Sequence, residues 1–123
     1  MTYIDGFLTP VPTANKDEYI KAAAVCAEVF KEHGATQLVE CWGDDVSDGE
    51  LTSMPKAVNL EKGETVVFSW IIWPSREVRD QGMPKIMADS RVQPDALTMP
   101  FDEKRMIFGG FIPVVGDAWP VKG

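Results

Sequence analysis

The stretch Glu64-Thr-Val-Val-Phe-Ser-Trp-Ile-Ile-Trp73 decides the fold of this chain. It is typical of a β-strand, in which successive side chains point to opposite faces of a sheet. One face then carries Val66, Phe68, Trp70 and Ile72, and the other carries Val67, Ser69, Ile71 and Trp73. Because both faces are apolar, each of them must be covered by another layer of protein.

The first helix is predicted from Asn15 to His33. Asn15 can cap its N-terminus, with Glu18 at the capping-box position, and Gly34 is the residue type that most readily ends a helix. Apolar residues recur at helical spacing and form one stripe for packing on the sheet. They are Tyr19, Ala22, Ala23, Cys26, Val29 and Phe30.

A second helix is predicted to begin after Ser75, which caps it. Gly82 and Pro84 interrupt it, because proline removes a backbone hydrogen bond and restricts the residue before it. The helix resumes through Ile86 and Met87. Its first turns are expected to present four charged side chains to solvent: Arg76, Glu77, Arg79 and Asp80.

Three further strands and one short edge strand complete the predicted sheet. The edge strand spans residues 54–60, where Pro55 excludes it from the sheet centre. The main order is strand, helix, strand, strand, helix, strand. With helices on one face of an antiparallel sheet, this is the ferredoxin-like β-α-β-β-α-β plan of the α+β class. The further strands are predicted at Tyr3–Val11, Thr36–Trp42 and Lys104–Val115, within a single domain of residues 1–115 that precedes a tail of residues 116–123.

A chain of 123 residues has enough helix to cover only one face of such a sheet. We therefore expect a second copy to cover the other face, in an isologous homodimer. Twelve Lys and Arg against 19 Asp and Glu give a net charge of −7. This balance disfavours nucleic acid and anionic membranes as partners, because both attract cationic proteins.

The sequence contains no pattern typical of a metal or cofactor site, so none is expected. His33 is the single histidine, and Cys26 and Cys41 are far apart and resemble small buried hydrophobes. The acidic loop at residues 43–50 has Val46 where a calcium loop needs an oxygen ligand, which favours a solvated turn. No signal peptide or run of membrane-spanning length is visible, and the cytoplasm is the expected location.

A second informative stretch is Met99-Pro-Phe-Asp-Glu-Lys-Arg-Met-Ile-Phe-Gly-Gly-Phe111. It places Arg105 at the mouth of the last predicted strand and Gly109 and Gly110 inside it. Glycine inside a strand costs roughly 0.5–1 kcal/mol relative to alanine, so a neighbouring group is expected to need the space. A buried arginine needs an anionic partner, because an unpaired buried charge is strongly destabilising.

Candidate site residues are the ionisable side chains inside predicted strands. Asp5 is expected to approach Ser69 on one side and the last strand on the other, and Glu40 to lie beside the third strand. Either carboxylate is a candidate general acid or base, and Arg105 is a candidate for binding a carboxylate or enolate. Trp42, Trp70 and Phe108 are the candidate apolar walls. The competing interpretation is that Arg105 forms an internal salt bridge with one of the carboxylates, which fixes strand register or the dimer contact.

Five segments of the chain together carry a family resemblance. They are Asp5-Gly-Phe7, Glu40-Cys-Trp42, Val67-Phe-Ser-Trp70, Ser75-Arg-Glu-Val-Arg-Asp80 and Met99–Phe111. With these segments the chain resembles the YbaA-like family, whose members are small bacterial proteins of unassigned function, over residues 2–113. The resemblance implies the dimeric α/β-barrel superfamily, in which two ferredoxin-like protomers pack their sheets together. Pro84 and the longer tail with Trp119 depart from the family pattern.

Two hypotheses about function follow, because a fold shared by unrelated activities does not assign one. The first is a protein that binds a small apolar or anionic molecule inside the dimer. The alternative is a cofactor-independent monooxygenase or isomerase for a small enolisable compound, in which Glu40 or Asp5 removes a proton and Arg105 stabilises the anion. The sequence leaves open whether the chain is an enzyme, and which face of the sheet carries Glu40.

Overall fold

Four strands form one antiparallel sheet in the computed structural model, which describes residues 1–116. The α+β class is therefore confirmed. The spatial order of the strands is β2-β3-β1-β4. β1 pairs with both β3 and β4, as the sequence predicts for strand one. The strands are β1 (Tyr3–Pro12), β2 (Gln37–Trp42), β3 (Glu64–Trp73) and β4 (Ile107–Phe111). Apart from Gly116, the predicted tail lies outside the described residues.

Helices α1 (Lys16–Glu32) and α3 (Arg76–Ala88) pack against the same face of the sheet, and a short helix α2 (Met54–Ala57) precedes β3. The main apolar cluster joins both long helices to the centre of the sheet. Its buried members are Tyr3, Val29, Ala35, Ile71, Trp73 and Ile86. A second cluster, built from Val11, Tyr19, Ala23 and Val67, joins the start of α1 to the other end of the sheet.

The strand that decides the fold has the predicted bounds and the predicted alternation. Ile71 and Trp73 face the helices, and we call this the helix-covered face. Register places Asp5 opposite Ile71, and Glu40 opposite Ser69, on that face. The opposite side, which we call the open face, exposes large apolar side chains. These are Phe68 at 44%, Ile107 at 42% and Phe111 at 61%.

The predicted edge strand at residues 54–60 is wrong, because the segment contains helix α2 instead. The Ser53 hydroxyl accepts a hydrogen bond from the backbone N–H of Lys56 at 3.1 Å and caps this helix. Pro55 lies in the first turn, where its fixed φ suits a helix and its missing N–H would have no intrahelical partner. Proline is therefore compatible both with an edge strand and with the first turn of a helix.

Two expectations about helix ends and interruptions also need correction. Asn15 does not cap α1 with its side chain, and its amide instead donates to the carbonyl of Pro100 at 3.2 Å. Helix α3 runs from Arg76 to Ala88 without the predicted interruption, with Pro84 inside it. Gly82 allows close packing there, because a Cβ would collide with the carbonyl of His33. The predicted cap at Ser75 is confirmed by its bond from Val78 N–H at 3.1 Å.

The last strand is shorter than predicted. It begins at Ile107 and ends at Phe111, whereas the sequence suggested residues 104–115. The residues just before it form a 3-10 turn, Glu103–Arg105, which the Asp102 carboxylate caps by accepting from Lys104 N–H at 3.1 Å. Arg105 consequently lies outside the strand, which changes the partners it can reach.

Candidate functional site

Glu40 lies at the centre of a hydroxyl–carboxylate cluster on the helix-covered face. The hydroxyls of Tyr19 and Ser69 both donate to Oε1 of Glu40, at 2.6 Å and 2.5 Å. Tyr19 and Ser69 are buried, with 5% and 3% of their surface exposed. Among residues 1–116, no hydrogen bond or ion pair engages the other carboxylate oxygen, Oε2. Two neutral donors therefore fix one oxygen and leave the second available.

A cleft of about 300 Å³ opens beside this carboxylate, between α1 and the β2 edge of the sheet. The ammonium of Lys16, the first residue of α1, lies 5.3 Å from the ring centre of Trp42 at the cleft. The wall is otherwise almost entirely apolar. Its other lining residues are Tyr19, Ile20, Ala23, Ala24, Ala27, Leu38, Glu40 and Val67. We call this space the Glu40 cleft.

The negative charge of Glu40 also raises the pKa values of two nearby side chains, Tyr19 and Cys26. Burial, followed by the negative charge and hydrogen bonding of Glu40, raises the pKa of Tyr19 well above its ordinary value of 10.0. Burial and the same charge raise the pKa of the Cys26 thiol. Tyr19 consequently remains a hydroxyl donor, and Cys26 remains a thiol rather than a nucleophilic thiolate.

Asp5, the other candidate carboxylate, is enclosed by different partners. Its Oδ2 accepts from the indole N–H of Trp73 at 2.9 Å, and its Oδ1 accepts from the Arg79 guanidinium at 3.2 Å. That guanidinium lies 4.9 Å from the ring centre of Tyr3. The expectation that Arg79 faces solvent is therefore wrong, since its side chain is only 24% exposed. Asp5 also lies opposite Ile71 rather than Ser69.

The two strand glycines accommodate side chains of the chain itself. Gly110 lies opposite Asp5, and a Cβ there would collide with the Tyr3 hydroxyl and the Arg79 guanidinium. Gly109 lies opposite Gly6 on the other face, and the ring of Phe111 covers both glycines. A Cβ on Gly109 would lie 3.4 Å from that ring. Gly110 therefore makes room for Tyr3 and Arg79, whereas Gly109 lines a hollow of about 300 Å³ on the open face.

Arg105 contacts neither Asp5 nor Glu40, so the predicted salt bridge between them is wrong. Its guanidinium instead forms two hydrogen bonds with the Glu64 carboxylate, at 2.7 Å and 2.6 Å, and one with Asp102 at 3.0 Å. It also donates to the carbonyl of Asn59. The hydrogen bonds from Arg105 lower the pKa of Glu64. With its charge matched by these carboxylates, Arg105 fixes the loop before β4.

The structure separates the predicted apolar walls. Trp42 shares the face of Glu40 as expected, and Ser69, which was expected beside Asp5, lies opposite Glu40 instead. Trp70 lies on the open face, where its indole N–H donates to Gln37 at 3.2 Å. Phe108 is 72% exposed on β4. These four predicted ligand-binding residues therefore lie in three parts of the molecule: beside Glu40, on the open face and on β4.

Sequence reasoning missed Tyr19 and Lys16 as members of the site. Tyr19 was assigned only to the apolar stripe of α1, although a buried tyrosine hydroxyl usually has a hydrogen-bond partner. Lys16 lies one turn earlier on the same helix and therefore on the same side. Those two observations could have directed attention to the β2 edge, where Glu40 is the ionisable side chain facing α1.

Within residues 1–116, no three His, Cys, Asp or Glu side chains cluster in a way that could hold a metal ion. His33 lies 3.5 Å from the Asp89 carboxylate at the ends of the two long helices. In the same range, none of the helices has the length and apolar character needed to cross a bilayer. Cys26 and Cys41 are free thiols.

Comparison with known proteins places the chain in a family. Residues 2–103 match the family described as "Protein of unknown function (DUF1428)". The chain is 50% identical over 117 residues to the uncharacterized protein YbaA of Escherichia coli K12, which covers 95% of this chain and all of the relative. The YbaA proteins of Escherichia coli O157:H7 and Shigella flexneri match equally well. The chain therefore belongs to this bacterial family of unknown function, as its resemblance to the YbaA-like proteins indicated.

Proposed function

We propose that this protein binds a small, mostly apolar molecule in the Glu40 cleft through a hydrogen bond to Oε2 of Glu40. The observation that carries this proposal is a carboxylate that lines an apolar cleft and has one oxygen fixed by two buried hydroxyls, with no protein partner on its other oxygen within residues 1–116. Ligand sites are usually apolar hollows with a few fixed polar groups. A volume of about 300 Å³ is at the small end of that range.

The polar part of the ligand is a hydrogen-bond donor rather than an anion. An anionic ligand was expected because of Arg105, but Glu64 and Asp102 already match that charge. The group that faces the cleft is a carboxylate, which accepts hydrogen bonds and repels anions. Asp5 is an unsuitable alternative, since Trp73 and Arg79 occupy both of its oxygens.

Binding of benzyl alcohol, a small aromatic donor, tests the proposal. Amide chemical shifts should change around Ala23, Ala24 and Leu38 and saturate at millimolar alcohol. Ala24→Leu should weaken binding at least about tenfold by filling the cleft. Ala88→Leu makes the same change at an exposed position outside the cleft and should leave binding unchanged. Shifts that are absent, or that ignore Ala24→Leu, would reject the proposal.

We also propose that two copies pack through their open faces, as the ferredoxin-like, dimeric barrel plan requires. Support comes from the exposed Phe68, Ile107 and Phe111 side chains. Each copy carries a net charge of −7, so two copies repel each other at long range. A contact surface without unpaired charges adds no further repulsion. The open face is such a surface, because its charged residue in β3, Glu64, is paired with Arg105. Burial of such a surface in an isologous contact would close the assembly as a dimer.

Sedimentation at micromolar concentration tests the dimer. The natural chain should sediment with twice its monomer mass of 13.6 kDa. Phe68→Asp, on the open face, should yield monomers. Leu51→Asp introduces the same charge at a side chain that is 99% exposed outside the sheet, and should not affect the mass. A monomeric natural chain would contradict the proposal.

The free thiols Cys26 and Cys41 are consistent with a reducing compartment such as the cytoplasm.

A second candidate function is cofactor-independent proton transfer by Glu40. The free Oε2 could take a proton from the carbon beside a ketone and return it to another carbon, which is an isomerase step. Tyr19, whose pKa is raised, supplies a protonated hydroxyl near the same place. The test is loss of substrate deuterium to water, followed by NMR over small keto acids and quinols. Exchange that Glu40→Gln abolishes supports catalysis, whereas binding without exchange leaves the binding function alone.

A further inference from the structure

We infer that the Glu40 cleft selects organic cations, namely small amines with a compact apolar body, and that Lys16 occupies the place of the ligand's ammonium group when the cleft is empty. This inference rests on the proposed binding function and narrows its ligand class. It follows from the charges around the cleft and from the contact between Lys16 and Trp42.

The first step is the charge of Glu40. Within residues 1–116 the protein groups that hydrogen-bond to this exposed carboxylate are neutral, because Tyr19 and Ser69 contribute hydroxyls. Within residues 1–116, no Lys, Arg or His nitrogen lies within 4.0 Å of its oxygens. Asp5 and Glu64 show the contrast, since each has an arginine partner. Glu40 is therefore an acceptor whose negative charge is not matched by a neighbouring cation.

The second step is the ring of Trp42, which shares a face of β2 with Glu40 two residues away. The face of an indole is the aromatic surface that attracts cations most strongly. Here the ammonium of Lys16 lies over it, at 5.3 Å from the ring centre. Lys16 is an exposed residue and can move away by side-chain rotation alone. An entering ammonium could therefore contact Trp42 and donate a hydrogen bond to Oε2 of Glu40.

The third step is the apolar wall, which limits what accompanies the charge. Side chains of α1 and β2 line the cleft with methyl and methylene groups, mainly Ile20, Ala23, Ala27 and Leu38. A ring or branched alkyl group of modest size fits this surface and a cleft of about 300 Å³. A polyamine would place its further charges against apolar side chains, which is unfavourable.

Benzylamine and benzyl alcohol test this inference, because they have nearly the same shape and differ in charge at neutral pH. The amine should bind at least about tenfold more tightly than the alcohol, since hydrogen bonds between two charged groups are the stronger ones. Glu40→Gln keeps the shape but removes the charge and, with its oxygen held by Tyr19 and Ser69, presents an NH2 group to the ligand, so it should remove this preference. Lys16→Met should strengthen amine binding about threefold relative to alcohol binding, by freeing the ring and removing a like charge. Lys21→Met, an exposed lysine that does not line the cleft, is the matched control and should change neither affinity.

The outcomes separate this inference from the proposed function. Equal affinities for the amine and the alcohol would overturn the cation preference and leave binding in the cleft intact. A preference that survives in Glu40→Gln would overturn the role of Glu40. If neither compound binds, both the inference and the proposed function fail. Equal effects of Lys16→Met and Lys21→Met would overturn the role of Lys16, because they would reflect net charge alone.

Discussion

Asp5 and Glu40 are two carboxylates on the same face of the same sheet, yet their surroundings differ in kind. Asp5 is held by the Trp73 indole and the Arg79 guanidinium, so its charge is matched and both oxygens are occupied. Glu40 has two neutral hydroxyl donors on one oxygen and an apolar cleft beside it. A carboxylate with a matched charge serves the fold, whereas one with a free oxygen in a cleft is available to a ligand. The difference lies in strand position as well as in partners, because Asp5 is buried on the central strand β1 and Glu40 is exposed on the edge strand β2.

The largest effect is expected when the Asp5 charge loses its partner. Arg79→Ala should lower the free energy of unfolding by about 3 kcal/mol, because it leaves a buried carboxylate without a cation. Arg76→Ala, in the same helix, should cost less than about 0.5 kcal/mol, since that arginine forms an exposed ion pair with Asp80. Urea denaturation of the two variants measures both values. Equal small losses would mean that Asp5 does not depend on Arg79.

The strand glycines give the next largest effect. Gly110→Ala should cost about 2 kcal/mol, because its methyl group would enter the space of Tyr3 and Arg79. Gly6→Ala places the same methyl group 3.6 Å from the Phe111 ring, which is ordinary contact, and should cost less than about 1 kcal/mol. Thermal unfolding of this pair compares the two faces of the sheet. A harmless Gly110→Ala would show that the Asp5 surroundings have room to adjust.

Alkaline pH probes the Glu40 cluster through Tyr19. The pKa of Tyr19 is raised in the folded protein by burial and by Glu40, so the fold binds its proton more tightly than the unfolded chain does. This contribution to stability is complete below the unfolded value of 10.0 and declines as pH rises above it. By pH 11 the loss should reach about 1 kcal/mol. Tyr19→Phe should remove that part of the alkaline loss in denaturation measured at pH 8 and pH 11.

The smallest effect on ligand affinity is expected for substitution of Arg105, which the sequence analysis placed in the site. Arg105→Gln should reduce stability by breaking the contact with Glu64. It should change the affinity for benzyl alcohol by less than about twofold, because no Arg105 contact reaches the Glu40 cleft. Fluorescence or NMR titration of the variant provides the measurement. A tenfold loss would restore Arg105 to the binding site.

Much of the fold followed from local patterns in the sequence. The bounds of β3 were correct because a run of β-branched and aromatic residues, interrupted only by Ser69, lies between a turn and a proline. The cap at Ser75 was correct because the side chain needs only nearby backbone N–H groups. Pro55 was wrong because one fixed φ angle suits both an edge strand and a first helical turn.

The candidate site was harder to predict because its partners are set by packing at long range. Glu40 and Trp42 were correctly placed on one face of β2 by strand alternation, whereas Ser69 was expected beside Asp5 and lies opposite Glu40. The sequence could not show which of Arg79 and Arg105 pairs with Asp5, because each side chain is long enough to reach either solvent or a carboxylate. Which arginine reaches Asp5 depends on how closely α3 packs on β1, and Gly110 permits that approach. The sequence indicated that a neighbouring group needs the space at Gly110, but it did not identify Arg79 as that group.

The most direct test is to measure stability and benzylamine affinity together in Asp5→Asn and Glu40→Gln, which make the same chemical change at the two carboxylates. Asp5→Asn should lower the free energy of unfolding by at least about 2 kcal/mol and leave affinity within about twofold, because it breaks a buried ion pair outside the cleft. Glu40→Gln should change stability by less than about 1 kcal/mol, since the amide oxygen still accepts from the hydroxyls, and should weaken amine binding at least about tenfold. If Asp5→Asn is the variant that loses the amine, or if Glu40→Gln keeps its affinity for the amine, the assignment of Glu40 as the ligand-binding carboxylate is wrong.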